Sequence, residues 1–209
     1  MRLHVGISDW LPKLIAYRLL QPVLELPEPV HLVCEEGNPE RLMAALSEHQ
    51  LDVVLSDSPI TSAVRVKAFN HLLGTCGATL FGAAALGDRY REGFPASLDG
   101  APMLLPVEGS TLRRSLDQWF DSHDIRPRLV GEFQDSALMK TFGQAGVGMF
   151  AAPSAIEREV QDHYHATVIG RLDKVTDHFY AISVERKLRH PAVLAISEAA
   201  RASLFVPDE

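Results

Sequence analysis

The chain has 209 residues, 46% of them hydrophobic and 22% charged, and a formal net charge of −7. That is ordinary globular composition, long enough for one large domain or two of about 100 residues, and no apolar run nears the roughly 18 residues of a membrane span. Basic residues are scattered apart from the short run Glu185 to His190, which excludes a phosphate-tracking surface on this chain by itself.

The opening MRLHVGISDW carries one Arg and no apolar h-region, so no secretory leader is expected. Leu3 to Ser8 reads as a strand. Ser8 and Asp9 offer helix caps, and Pro12 suits a first helical turn. Leu11, Ile15, Leu19 and Val23 then share one helical face, which Pro22 and Pro27 end or kink. Val30 to Cys34 is a second strand. Asn38-Pro39-Glu40 starts a helix whose face carries Leu42, Ala45, Leu46 and His49, and Leu51 to Ser56 is a third strand. The order β-α-β-α-β with short connections predicts a parallel sheet covered by helices.

Val66 to Leu73 is strand-like, and Gly74 and Gly77 predict a turn or crossover before a second unit near Ala78. Pro102 to Val107 is a strand, followed by a capped helix with Leu112, Leu116, Trp119 and Phe120 on one side. Arg128 to Phe133 is a strand, and Asp135-Ser136 caps a helix through Leu138, Met139 and Phe142. A glycine-broken passage leads to a strand at Phe150, and Pro153-Ser154 opens a short helix. Thr167 to Gly170 and Phe179 to Val184 are two further strands, the latter returning to the first sheet. His190-Pro191 begins a closing helix with Val193, Ile196, Ala200 and Leu204 toward the core. Cys34 and Cys76 lie in apolar strand-like stretches and read as buried free thiols, which fits a reducing cytoplasm.

Two α/β lobes joined by crossovers imply a cleft, where open α/β sheets bind ligands. The site candidates are strand-to-helix turns: Ser8 and Asp9; Ser56, Asp57 and Ser58; Gly109, Ser110 and Thr111. Helix-start amides and small hydroxyls suit an anion. The plainer alternative is that Ser8, Asp9, Ser110 and Thr111 only cap their helices. Asp9, Asp57, Glu108 and Asp135 instead offer oxygens to a hard cation. The run Asp162 to His165 lacks a zinc spacing and reads as a surface loop, so no metal site is assigned. No G-x-S-x-G elbow, P-loop or G-x-G-x-x-G occurs. His71 and Cys76 lie five apart, on opposite faces of one strand. No enzyme activity and no cofactor are expected.

LDVVLSD at 51–57, the run Gly143 to Pro153 and the terminal HPAVLAISEAAR resemble, in this order, parts of the effector-binding domains of LysR-type transcriptional regulators. Within that family, VGISDWLPKLIAYRLLQPVLELPEPVHLVCEEG, KAFNHLLG, GEFQDSALMKTFGQAGVGMFAAPSAIE and YAISVERKLRHPAV are similar to activators of sodium/proton antiporter genes. The resemblance implies an α/β fold like type 2 periplasmic binding proteins: two lobes, a mostly parallel sheet in each, and two crossovers. The lobes are expected at 1–73 with 175–209, and at 74–174. It implies that the named turns, with Gln134 and Pro153, line an interlobe effector cleft.

The resemblance also implies an N-terminal winged helix-turn-helix in the complete regulator, absent from this chain, through which DNA is bound. It further implies a homodimer, or a tetramer at full length, with Leu11 to Leu24 and Leu112 to His123 as candidate contact helices. The expected function is effector sensing and dimerisation for a cytoplasmic transcriptional activator, with sodium- or pH-responsive control of an antiporter gene. The expected effector is a sodium ion or a small anion, with no membrane partner. The alternative is a transport-type solute-binding protein of the same fold, against which the missing leader counts.

Overall fold

Strand β1 (Arg2–Ser8) is buried from Val5 to Ser8, as a strand covered on both faces must be. A three-residue turn and Pro12 lead into α1 (Lys13–Leu24), where Ile15, Leu19 and Val23 are all 1% exposed or less. Pro22 sits inside the last turn of α1 and the helix runs two residues past it. β2 (His31–Gly37) pairs parallel to β1 and is mostly exposed. Cys34 is therefore exposed, correcting the expectation of a buried thiol, while Cys76 is half-buried; both are free. The computed structural model from which these placements come describes residues 1–60 and 67–205.

Helix α2 (Pro39–Ser47) starts as its sequence predicts: Asn38 Oδ1 accepts from Arg41 N at 2.9 Å, with Pro39 in the first turn. Leu42, Met43 and Leu46 are its buried residues, and His49 is exposed beyond its end. Gly6 makes this packing possible. A Cβ there would stand 2.8 Å from Leu51 Cδ1 and 3.1 Å from Leu42 Cδ2. β3 (Val53–Ser56) then pairs parallel to β1 through Val5↔Val53 and Ile7↔Leu55.

The chain forms two compact units, Met1–Thr75 with His178–Glu209, and Cys76–Asp177. β4 (Phe69–Gly82) supplies residues to both. Val66, where this strand was expected to begin, lies outside the described residues. No turn breaks β4 at Gly74 or Gly77. Gly74 has a packing role instead, since a Cβ on it would meet the Phe205 ring at 2.4 Å.

The second unit continues with α3 (Ala84–Tyr90), β5 (Pro102–Pro106), α4 (Thr111–Ser122), β6 (Arg128–Phe133), α5 (Ser136–Gln144), β7 (Phe150–Pro153) and α6 (Glu157–Tyr164). Its core gathers Met103, Leu105, Leu116, Trp119, Phe120 and Met149, among others. The apolar residues of α4 are therefore core. On α5 only Met139 of the three predicted apolar residues is buried; Leu138 and Phe142 are exposed.

β8 (Thr167–Ser183) joins the two short strands expected at Thr167 and Phe179 into one, and it too supplies both units. α7 (Pro191–Ala199) packs on α1 within the first unit. The β1/β2, β1/β3 and β5/β6 ladders are parallel. β3/β8 and β4/β7 are antiparallel, so the six-stranded sheet is mixed, while the two-stranded β5/β6 sheet is parallel. No described helix is long and apolar enough to cross a membrane.

Candidate functional site

Because Ile7 pairs with Leu55, Ser8 and Ser56 end neighbouring parallel strands side by side. Both are buried, at 1% and 4% exposure. After β1 the backbone turns tightly: Leu11 N donates to Ser8 O at 2.9 Å and Asp9 N to Gly37 O at 3.1 Å. Pro12 then holds the N-cap position of α1, with no side-chain cap. Ser8 and Asp9 thus do not cap the helix, because the turn and Pro12 set it beyond their reach. Ser8 Oγ is left buried with no partner.

Two more orphaned polar atoms lie on the same pair of turns, Trp10 Nε1 and Asp57 Oδ1. A buried polar group without a partner costs about 1–3 kcal/mol, and native folds keep few of them. Burial also pushes the Asp57 carboxyl up to about 6, against the opposing effect of a hydrogen bond from its own backbone. Ser56 Oγ, by contrast, accepts from Ser58 N at 3.1 Å and lies 3.5 Å from Ser58 Oγ.

Ser8, Ser56 and Ser58 share a cavity of about 100 Å³ with Leu42, Met43, Val54, Ile60 and Ile182, rimmed by Pro39 and Pro59. Asn70 on β4 holds the rim. Its Oδ1 accepts from Ile60 N at 2.9 Å and its Nδ2 donates to Ile60 O at 3.1 Å. Trp10, Asn70 and the apolar wall of this cavity were not among the site candidates the sequence offered. Only Met43, beside Leu42 on a short amphipathic helix, left a local trace.

The remaining predicted residues belong to the second unit. Ser110, 3% exposed, caps α4 by accepting from Arg113 N at 3.1 Å, and Thr111 is the first helical residue. Gly109 is exposed at φ +93°. Gln134 is exposed between β6 and α5, and Pro153 is buried at the end of β7. Asp135 caps α5, its Oδ1 accepting from Ala137 N at 2.6 Å. No group of three or more His, Cys, Asp or Glu among the described residues could hold a metal ion; Asp9 and Asp57 belong to the first unit, Glu108 and Asp135 to the second.

The helix-start amides are fewer than the anion reading assumed, since Pro12 and Pro39 have no N–H and Arg41 N is capped. His163 lies in the last turn of α6 and His165 caps it in the left-handed region, so that run is a helix end rather than a loop. His71 Nε2 stands 3.1 Å from both Ser183 Oγ and Glu185 O. Burial pushes the Cys76 thiol up to about 11, which makes it a poor nucleophile. A surface hollow of about 340 Å³ in the second unit holds Trp119, His123 and Asp173. There Trp119 Nε1 already donates to Asp173 Oδ1 at 2.9 Å.

A family model described as the LysR substrate binding domain matches residues 1–204. The chain belongs to that family and has its type 2 periplasmic-binding-protein-like fold. The transcriptional activator protein NhaR of Escherichia coli (strain K12) is 34% identical over 203 residues, 97% of this chain. The chain spans 66% of that relative's length. Among solved structures, the reduced regulatory domain of OxyR2 from Vibrio vulnificus has a TM-score of 0.72 at 15% identity, over 96% of this chain and 94% of that one. The CcmR regulatory domain of Synechocystis PCC6803, in complex with 2-PG, has a TM-score of 0.69 at 13% identity, over 97% of both chains. At these identities the solved structures speak for the fold alone.

Proposed function

We propose that the chain is the effector-sensing domain of a LysR-type transcriptional activator, reading its ligand at the turns that end β1 and β3. The supporting observation is the concentration of unmet hydrogen-bonding capacity there: Ser8 Oγ, Trp10 Nε1 and Asp57 Oδ1. A ligand that satisfies these atoms in one conformation and not another shifts the equilibrium between them. DNA is reached through a separate N-terminal domain of the full regulator, and the output is sodium- or pH-responsive control of an antiporter gene. A sodium ion acting directly on this chain would find its oxygens at Asp9 and Asp57.

Thermal-shift titration with sodium, potassium, small anions and carboxylates across pH tests this reading. Saturable stabilisation by one of them, lost in Ser8→Ala, supports it. Stabilisation that Ser8→Ala and Asp57→Asn both leave unchanged contradicts it.

The domain also pairs with a second copy. On α1, Tyr17 and Leu24 are each 58% exposed, and in the second unit Leu129, Val130, Leu138 and Phe142 expose apolar surface from β6 and α5. Exposed apolar patches of this kind mark interaction surfaces. α4 contributes less than the sequence implied, its large apolar side chains being core. Sedimentation of Tyr17→Glu and Phe142→Glu checks the pairing, and a dimer unaffected by either sinks these surfaces.

A further inference from the structure

The cavity beside Ser8 is lined by three serines, two prolines and five large apolar side chains, with no charged side chain among them. Leu42, Met43, Val54 and Ile182 are each 2% exposed or less, so its wall belongs to the core of the first unit. Ser56 Oγ already accepts from Ser58 N. Ser8 Oγ alone among the three hydroxyls is buried with no partner. Such a wall is a poor host for a bare ion, because moving a charge away from water without compensating ligands is strongly unfavourable.

We infer that this cavity takes the apolar body of a small amphipathic organic effector, with the Ser8 hydroxyl as the anchor for its polar head. The inference rests on the effector site proposed above and names the class of ligand it reads. A cavity of about 150 Å³ holds benzene, so one of about 100 Å³ suits a body of about four carbon atoms. Met43, unbranched and adaptable, sets the length accepted.

The test is a titration of the protein with straight-chain alcohols from ethanol to hexanol, beside sodium and potassium chloride, followed by methyl and amide NMR. Affinity is expected to rise about four-fold per added methylene up to butanol and then level off. The methyl signals of Met43 and Ile182 move with it. Ser8→Ala weakens butanol binding about five-fold while the protein stays folded, Met43→Phe abolishes it, and Ile182→Val, which enlarges the cavity, moves the levelling-off toward pentanol.

Binding without chain-length dependence overturns the inference, as do sodium-specific shifts of the Ser8 and Ser56 amides with the methyls unmoved; both leave the site itself standing. Shifts confined to Cys76–Asp177, or none anywhere with any probe, overturn the site reading together with the inference.

Discussion

Ser8 and Ser110 both sit where a strand gives way to a helix, and both are almost wholly buried. Ser110 Oγ receives the amide of Arg113 and completes α4. Ser8 Oγ receives nothing, because the Ser8–Leu11 turn and Pro12 place α1 beyond it. The two residues look alike in sequence and do opposite things. One hydroxyl stabilises the fold, while the other is held at a cost to the fold and remains available to a ligand.

The largest expected effect lies on the orphaned side. Asp57 stands at about 6 in the folded chain against 3.8 for an ordinary aspartate, so the folded state holds the proton more tightly than the unfolded one. Stability contributed by the protonated form is therefore full below about pH 4, is lost as pH rises through 6, and stays lost above it. Asp57→Asn is expected to remove that fall and raise stability at pH 7 by up to about 3 kcal/mol. Urea unfolding at pH 4.5 and 7 measures it, and a wild-type curve flat between those values breaks the contrast.

On the capped side, Asn38→Ala and Asp135→Ala are each expected to lose about 1 kcal/mol, read as lower urea midpoints at unchanged slope. A smaller effect is expected from Asn70→Ala, which releases two exposed hydrogen bonds to Ile60, about 0.5–1 kcal/mol. It should weaken ligand binding more than that loss implies, with partial rescue by Asn70→Gln. Equal effects on wild-type-like stability and binding would make Asn70 a structural peg only.

Caps and helix starts were legible because they are local. Asn38-Pro39, Ser110 and Asp135 each satisfy an amide two or three residues away. The long strands were not legible. Gly74 looks like a turn residue until Phe205, far along the chain, is seen lying on it. The family and fold were readable from ordered pieces of sequence. The apolar wall of the cavity was not, since Ile182 reaches it by strand pairing with Val54. Nor was the orphaned state of Ser8, which depends on where α1 begins rather than on the serine itself.

In the free protein the Ser8 hydroxyl is without a partner while that of Ser110 has one. Urea unfolding of Ser8→Ala and Ser110→Ala, measured side by side without ligand, tests this most directly. Ser110→Ala is expected to lose about 1 kcal/mol, and Ser8→Ala to match or exceed the wild type by up to about 1 kcal/mol. Equal losses in the two proteins would contradict it, showing that the Ser8 hydroxyl supports the fold and is not held for a ligand.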